Sequence, residues 1–218
     1  MNLTEDKKQE QLESLLNIKN LMEQSARFTA LSGASGISAG IIAVFGCLYA
    51  AFQLNFPIYA QAQSIMRWGS SPGEASTVKF LITTGLLVFV LALAAFLFFA
   101  GKKAKRNSMK LFNSAGRKFI FNHSIFLLSG GLFAAILFYY GFYLLIVPSL
   151  LIFYGLALVN ISKFSFSSIR NLGILEILLG FILCLAPVYA LLFFFIGFGV
   201  LHIVYGLILH LNYDRQAD

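Results

Sequence analysis

Six long apolar stretches, separated by charged or turn-forming residues, limit this chain to very few folds. A hydrocarbon interior offers no water to backbone groups, so each stretch can cross it only as a helix whose own hydrogen bonds are closed. The spans run Ala30 to Leu54, Val78 to Ala100, Phe119 to Tyr139, Leu145 to Val159, Leu172 to Ala186, and Val188 to Leu211. A crossing needs about 20 residues, so the fourth and fifth are short, with the least defined ends. The expected fold is all-α: a polytopic membrane bundle of six transmembrane helices with an N-terminal amphipathic helix. Residues 1–29 form the N-terminal part, 30–211 the membrane domain and 212–218 a short tail.

Composition agrees with the spans. Hydrophobic residues make up 59% of the chain and charged residues 11%, against roughly 25% charged in soluble domains. The 24 Phe and 18 Gly suit helices packed in lipid. A net charge of +7 does not point to nucleic acid, because the excess follows topology and is concentrated in the loop Gly101 to Lys118. Cys47 and Cys184 lie inside apolar spans, where they read as small packing residues and not as a disulfide or metal ligands. The N-terminus opens on the mixed-charge stretch Thr4 to Glu13 and is not expected to be a cleaved signal. Residues Glu10 to Glu23 carry Leu12, Leu15, Leu16, Ile18 and Met22 at helical spacing and predict the amphipathic helix.

Orientation follows from Lys and Arg. One side has Lys7, Lys8, Lys19 and Arg27, the loop from Lys102 to Lys118, Lys163 with Arg170, and Arg215. The other side has only Arg67 and Lys79. The positive-inside rule then puts both termini in the cytoplasm. The long outer loop, Asn55 to Thr77, carries Tyr59 and Trp68, which suit an interfacial belt. In the basic loop, Lys102, Lys103, Lys105 and Arg106 set topology and are candidates for contact with anionic lipid. Pro148 and Pro187 stand near the starts of the fourth and sixth spans, where a missing N–H is tolerated. Three hairpins each begin at a cation, Arg27, Arg117 or Arg170, and each first helix then acquires glycines, which suggests a threefold repeat.

Small residues mark three helix faces. Gly36 and Gly40 continue from Ser32 on the first span, Gly173 and Gly180 share a face with Glu176 on the fifth, and Gly199 and Gly206 share one with His202 and His210 on the sixth. Such faces let backbones approach closely. Glu176 is the only acid inside an apolar span. A central charge costs from about 2.5 kcal/mol upward, and the span limits place this residue about one turn inside the cytoplasmic end. Its glycine neighbours turn it towards other helices. His202, His123 with the preceding Asn122, Tyr154, Asn160 and Tyr205 fall in the same half of the bilayer. Glu176, His202, His123, Asn122, Tyr205 and Asn160 are therefore the candidate residues of a cytoplasm-facing polar cavity, with a ligand or proton role.

Several chemistries are disfavoured. Asp occurs only at Asp6, Asp214 and Asp218, outside the spans, which argues against intramembrane aspartyl proteases and Asp-rich lipid-phosphate transferases. The G-x-S-x-G match at Gly36 to Gly40 lies inside the first apolar span, without the strand-to-helix turn such a nucleophile needs, and no H-E-x-x-H, Walker A or G-x-G-x-x-G pattern is present. Neither a cofactor nor a catalytic group is expected, and homo-oligomers are compatible with the pattern.

Four segments carry a resemblance: Leu21 to Gly36 (LMEQSARFTALSGASG), Phe153 to Lys163 (FYGLALVNISK), Ile169 to Gly180 (IRNLGILEILLG) and Gly197 to Gly206 (GFGVLHIVYG). In them the chain resembles a family of small, uncharacterised bacterial multi-pass membrane proteins. The resemblance implies a membrane protein of the bacterial inner membrane and brings no activity with it. Two functions stay open: a non-enzymatic membrane protein that binds a small ligand, lipid or partner, and a small transporter or channel, proton-linked through Glu176. An enzyme ranks behind both.

Overall fold

The computed structural model describes residues 11–12, 14–15, 31–54, 72–106 and 114–214. Among the described residues six helices are long and apolar enough to cross a membrane, and there is no strand. They are α1 (Gly33–Gln53), α2 (Pro72–Arg106), α3 (Ser114–Tyr139), α4 (Ile146–Ile161, entered through a 3₁₀ turn at Tyr143–Leu145), α5 (Ser167–Leu185) and the composite α6. α6 is α-helical over Ala190–Phe194 and His202–Leu209 and π-helical over Phe195–Leu201 and His210–Asp214. Of the expected N-terminal helix, Gln11, Leu12, Ser14 and Leu15 are helical with Leu12 and Leu15 exposed; its remainder lies outside the described residues, as do most of the Asn55 to Thr77 loop and residues 107–113 of the basic loop.

Local chemistry explains the helix ends. Ser32 caps α1, its side chain accepting from the Ala34 N–H. α3 stops at Gly141, whose φ of 78° only glycine adopts without strain. Phe142 N–H then donates to the Leu137 carbonyl and Gly141 N–H to Phe138, closing a Schellman turn into α4. Several helices outrun their apolar spans. α2 continues six residues past Ala100 to Arg106, and α5 begins at Ser167 rather than Leu172. Backbone hydrogen bonding does not end where hydrophobicity does, and long basic side chains can snorkel.

Packing decides which helices are central. Only 11% of the apolar stretch of α2, and of α3, is buried against protein, compared with 39% for α4. α2 and α3 are therefore peripheral, and their exposed Leu and Phe side chains form surface suited to lipid. The closest pairings are α4 with α5 and α1 with α6; α3 leans on α4 and α2 on α1. This pairing cuts across the three expected hairpins, so packing does not follow a threefold repeat. The glycine faces select partners that are not always chain neighbours.

At one end, Ala104 of α2, Ala115 and Phe119 of α3, Leu158 and Ile161 of α4, and Ile169 and Leu172 of α5 form a buried apolar cluster. Leu31 beside α1 and Tyr205 of α6 pack against it. This is also the cationic end. Lys103 there donates a 2.7 Å hydrogen bond to the Leu31 carbonyl and stands over the Phe166 ring at 5.7 Å. Lys102, Lys105 and Arg106 are exposed.

Candidate functional site

Glu176 occupies the midpoint of α5, and its side chain is completely buried. With α5 starting at Ser167, a rise of about 1.5 Å per residue puts Glu176 some 13 Å along the helix. A glycine makes room for it. A Cβ placed on Gly197 would lie 2.6 Å from Glu176 Oε2 and 2.8 Å from Leu151 Cδ2. Any larger residue at 197 would collide with the carboxyl.

The nearest ionisable partner is His202 of α6. Its Nδ1 lies 3.5 Å from Glu176 Oε1, and the two side chains are 9% and 0% exposed. His202 follows the π-helical segment Phe195–Leu201, and its Nδ1 stands 2.9 Å from the carbonyl oxygen of Gly197 within that segment. A carbonyl can only accept, so Nδ1 carries a hydrogen. Nε2 lies 2.7 Å from the Tyr154 hydroxyl of α4. In the neutral ring Nε2 accepts from that hydroxyl; when Nε2 is protonated, the hydroxyl turns to accept instead. The ring is thus held at both nitrogens in either protonation state.

Glu176 has no equivalent support. Among the described residues, neither carboxyl oxygen has a hydrogen-bond partner. An unsatisfied buried polar group costs about 1–3 kcal/mol, and more if charged, so this carboxyl is the least satisfied group of the core. His123 Nδ1 of α3 is also buried without a partner. Its ring meets Tyr154 edge-on at 6.1 Å and stacks on Phe119 at 6.0 Å. Glu176, His202, Tyr154 and His123 therefore form one continuous set that crosses α5, α6, α4 and α3.

The remaining candidates lie apart. Asn160 Nδ2 donates to Asn122 Oδ1 at 3.4 Å, and Asn122 Nδ2 donates to the Lys118 carbonyl at 2.8 Å. They make a separate α3–α4 link. Tyr205 is partly buried against the apolar cluster at the cationic end. Gly36, Gly40, Gly180, Gly199 and Gly206 all face neighbouring helices at close range. Cys47 is buried and directs its thiol at the Leu191 carbonyl, while Cys184 is exposed; both are free. Among the described residues no three His, Cys, Asp or Glu side chains are placed to hold a metal ion.

Tyr154 is the residue that the sequence reading left out of the candidate set. The sequence places it in the same half of the bilayer as the candidates, but within an apolar run. Its helical position beside Gly155, which faces α5, is the available signal that it points inward. Comparison with known proteins finds no matching family model, no matching curated protein and no matching solved structure.

Proposed function

We propose that the protein is a small proton-linked transporter of the bacterial inner membrane, with both termini in the cytoplasm and Glu176 with His202 as its proton-exchanging pair. One observation carries this reading: a mid-helix carboxyl, 0% exposed and without a hydrogen-bond partner, lies 3.5 Å from an imidazole that is held at both nitrogens. Charges at this depth are expensive unless paired. Two arrangements of equal net charge are open to the pair: carboxylic acid beside neutral imidazole, or carboxylate beside imidazolium. Because Nδ1 keeps its hydrogen on the Gly197 carbonyl, the second forms when the carboxyl gives up its proton and Nε2 gains one from the Tyr154 side. The Tyr154 hydroxyl serves both by reversing its hydrogen bond. Full enclosure favours the proton over larger ligands, because nothing else reaches the carboxyl without helix movement. The exposed Lys102, Lys105 and Arg106, with Lys103, would sit in the anionic cytoplasmic leaflet, where each cation near the surface contributes about 1 kcal/mol.

A second reading keeps the same residues for a different purpose. The unpartnered oxygens of Glu176 and the unpartnered Nδ1 of His123 would suit a small hydrogen-bonding ligand entering through a cytoplasm-facing polar cavity, in a membrane binding protein without transport. The test is proton flux in reconstituted vesicles that hold a pH-sensitive dye. Wild type should dissipate an imposed pH gradient faster than empty vesicles, and Glu176→Gln should lose that excess. Wild-type flux equal to empty vesicles, or equal to that of a folded Glu176→Gln variant, rules the transport reading out. A thermal shift on adding a metabolite pool, without flux, would favour the binding protein.

A further inference from the structure

Two eight-residue segments on antiparallel helices share a pattern: Gly173 to Gly180 on α5 reads GILEILLG, and Gly199 to Gly206 on α6 reads GVLHIVYG. Gly, Leu, Ile and Gly recur at the same four places, and Glu176 in one segment corresponds to His202 in the other. The helices these segments pack on match as well. α4 carries Ile152, Gly155 and Val159; α1 carries Ile37, Gly40 and Val44, at the same intervals.

Most of the close contacts repeat, although a Cβ on Gly173 would lie 2.6 Å from Gly155 O and one on Gly199 3.9 Å from Gly40 O. A Cβ on Gly155 would lie 2.5 Å from Gly173 O, 2.7 Å from Ile177 Cγ1 and 2.9 Å from Ile177 N. On Gly40 it would lie 2.7 Å from Gly199 O, 2.7 Å from Ile203 Cγ1 and 2.9 Å from Ile203 N. A Cβ on Gly173 would lie 2.9 Å from Val159 Cγ2, and one on Gly199 2.9 Å from Val44 Cγ2. Gly180 faces Ile152 N and Pro148 O; Gly206 faces Ile37 N and Gly33 O. One constant offset in numbering relates all the α4 positions to those of α1, and another relates those of α5 to α6. General glycine-face packing does not require such a match.

We infer that α4–α5 and α1–α6 are two equivalent rigid units of inverted orientation, that their pseudo-two-fold axis passes between Glu176 and His202, and that rocking of one unit against the other opens this central site to the two membrane faces in turn. Each part has a physical ground. Backbone-to-backbone contact makes each unit stiff. α5 and α6 are antiparallel, so superposing the units requires an axis in the membrane plane. Equivalent residues that touch must flank that axis closely, and Glu176 and His202 lie 3.5 Å apart. The unit-to-unit contact is much thinner than the contact inside either unit, so motion is cheapest there. The inference rests on the proton reading above for what enters the site. The titratable groups facing the pair are Tyr154 from α4 and, one ring further, His123 from α3. Gly33–Gln53 of α1 carries only Cys47, directed at the Leu191 carbonyl, and Tyr49, which is exposed.

The test uses pairs of spin labels on exposed positions of the full chain in liposomes, with Cys47→Ala and Cys184→Ser as background. Leu156 with Leu178 reports on the α4–α5 unit, Ile41 with Val204 on the α1–α6 unit, and Leu178 with Val204 across the axis; all four are exposed. Both within-unit pairs should keep one distance at acid and at alkaline pH. The cross-axis pair should redistribute between two distances, and Glu176→Gln should lock it in one. A cross-axis pair with a single distance at every pH overturns the inference, as do within-unit distances that shift along with it. Redistribution that persists unchanged in Glu176→Gln would instead remove the proton reading and leave the two units standing.

Discussion

Replacing Gly155 by alanine tests the close crossing of α4 and α5 with one methyl group. The new Cβ would stand 2.5 Å from a backbone oxygen and 2.9 Å from a backbone nitrogen. Neither can rotate away as a side chain would. Ordinary carbon contacts are about 3.5–4.0 Å, so the helices must separate by about 1 Å at this point. A gap of that size forfeits about a quarter to a half of the dispersion well for each atom pair that loses contact. Overpacking of this kind costs about 1–3 kcal/mol, and the rigidity of both opposing atoms points to the upper part of that range. For a chain of this length, 2–3 kcal/mol corresponds to a fall in Tm of about 5–10 °C. The control is Gly131→Ala on α3, where a Cβ would meet nothing within 4 Å. That change removes a helix-weakening glycine and should be neutral or gain about 0.5–1 kcal/mol. Gly40→Ala, at the matching place on α1, should lose about as much as Gly155→Ala. Thermal unfolding in detergent, followed by size-exclusion fluorescence, measures all three. If Gly155→Ala unfolds at the same temperature as Gly131→Ala, the α4–α5 crossing is not the tight contact described.

Three further outcomes are expected. Cysteines placed at Ser70 or Ser71 should react with an impermeant maleimide on intact cells and one at Ser108 should not; the reverse pattern would invert the proposed orientation. Tyr154→Phe removes the hydroxyl at His202 Nε2 and leaves that nitrogen buried, so it should destabilise by about 1–3 kcal/mol in denaturant titrations; no change would mean that the two groups do not bond. Glu176→Leu and Glu176→Gln should differ in stability: Gln keeps polar atoms in a site without partners, whereas Leu is apolar and similar in reach. Leu at or above wild-type stability, measured as Tm in detergent, would show that the carboxyl is retained at an energetic cost, while a much less stable Leu variant would mean that Glu176 holds the bundle together.

The six spans were legible because hydropathy averages over some twenty residues, and one misplaced boundary barely changes such an average. Boundaries were less legible, and one mattered. The fifth span read from hydropathy starts at Leu172, whereas the helix starts at Ser167 and has Glu176 at its midpoint. Polar residues such as Ser167, Ser168 and Asn171 look like a loop in a hydropathy scan, yet they form an ordinary helical turn. The π-helical segment at Phe195–Leu201 left no trace in composition, because it is a change of hydrogen-bond register and not of residue type.

Helix partners were the largest gap. A glycine face announces close contact but does not say with which helix, and chain neighbours were the natural assumption for three hairpins. In the structure Gly40 lies against Gly199 and Gly155 against Gly173, so one central pairing joins consecutive helices and the other joins the first helix to the last. The missing information was nevertheless in the chain. Scanned one at a time, Glu176 and His202 are two isolated polar residues at uncertain depth. Aligned on each other, GILEILLG and GVLHIVYG put them at the same place on two helices of opposite direction. Two equivalent positions on an antiparallel pair can meet only at the crossing point, where depth is common to both. A polar residue buried in lipid must find its partner on another helix at its own depth, and here internal equivalence identifies which one.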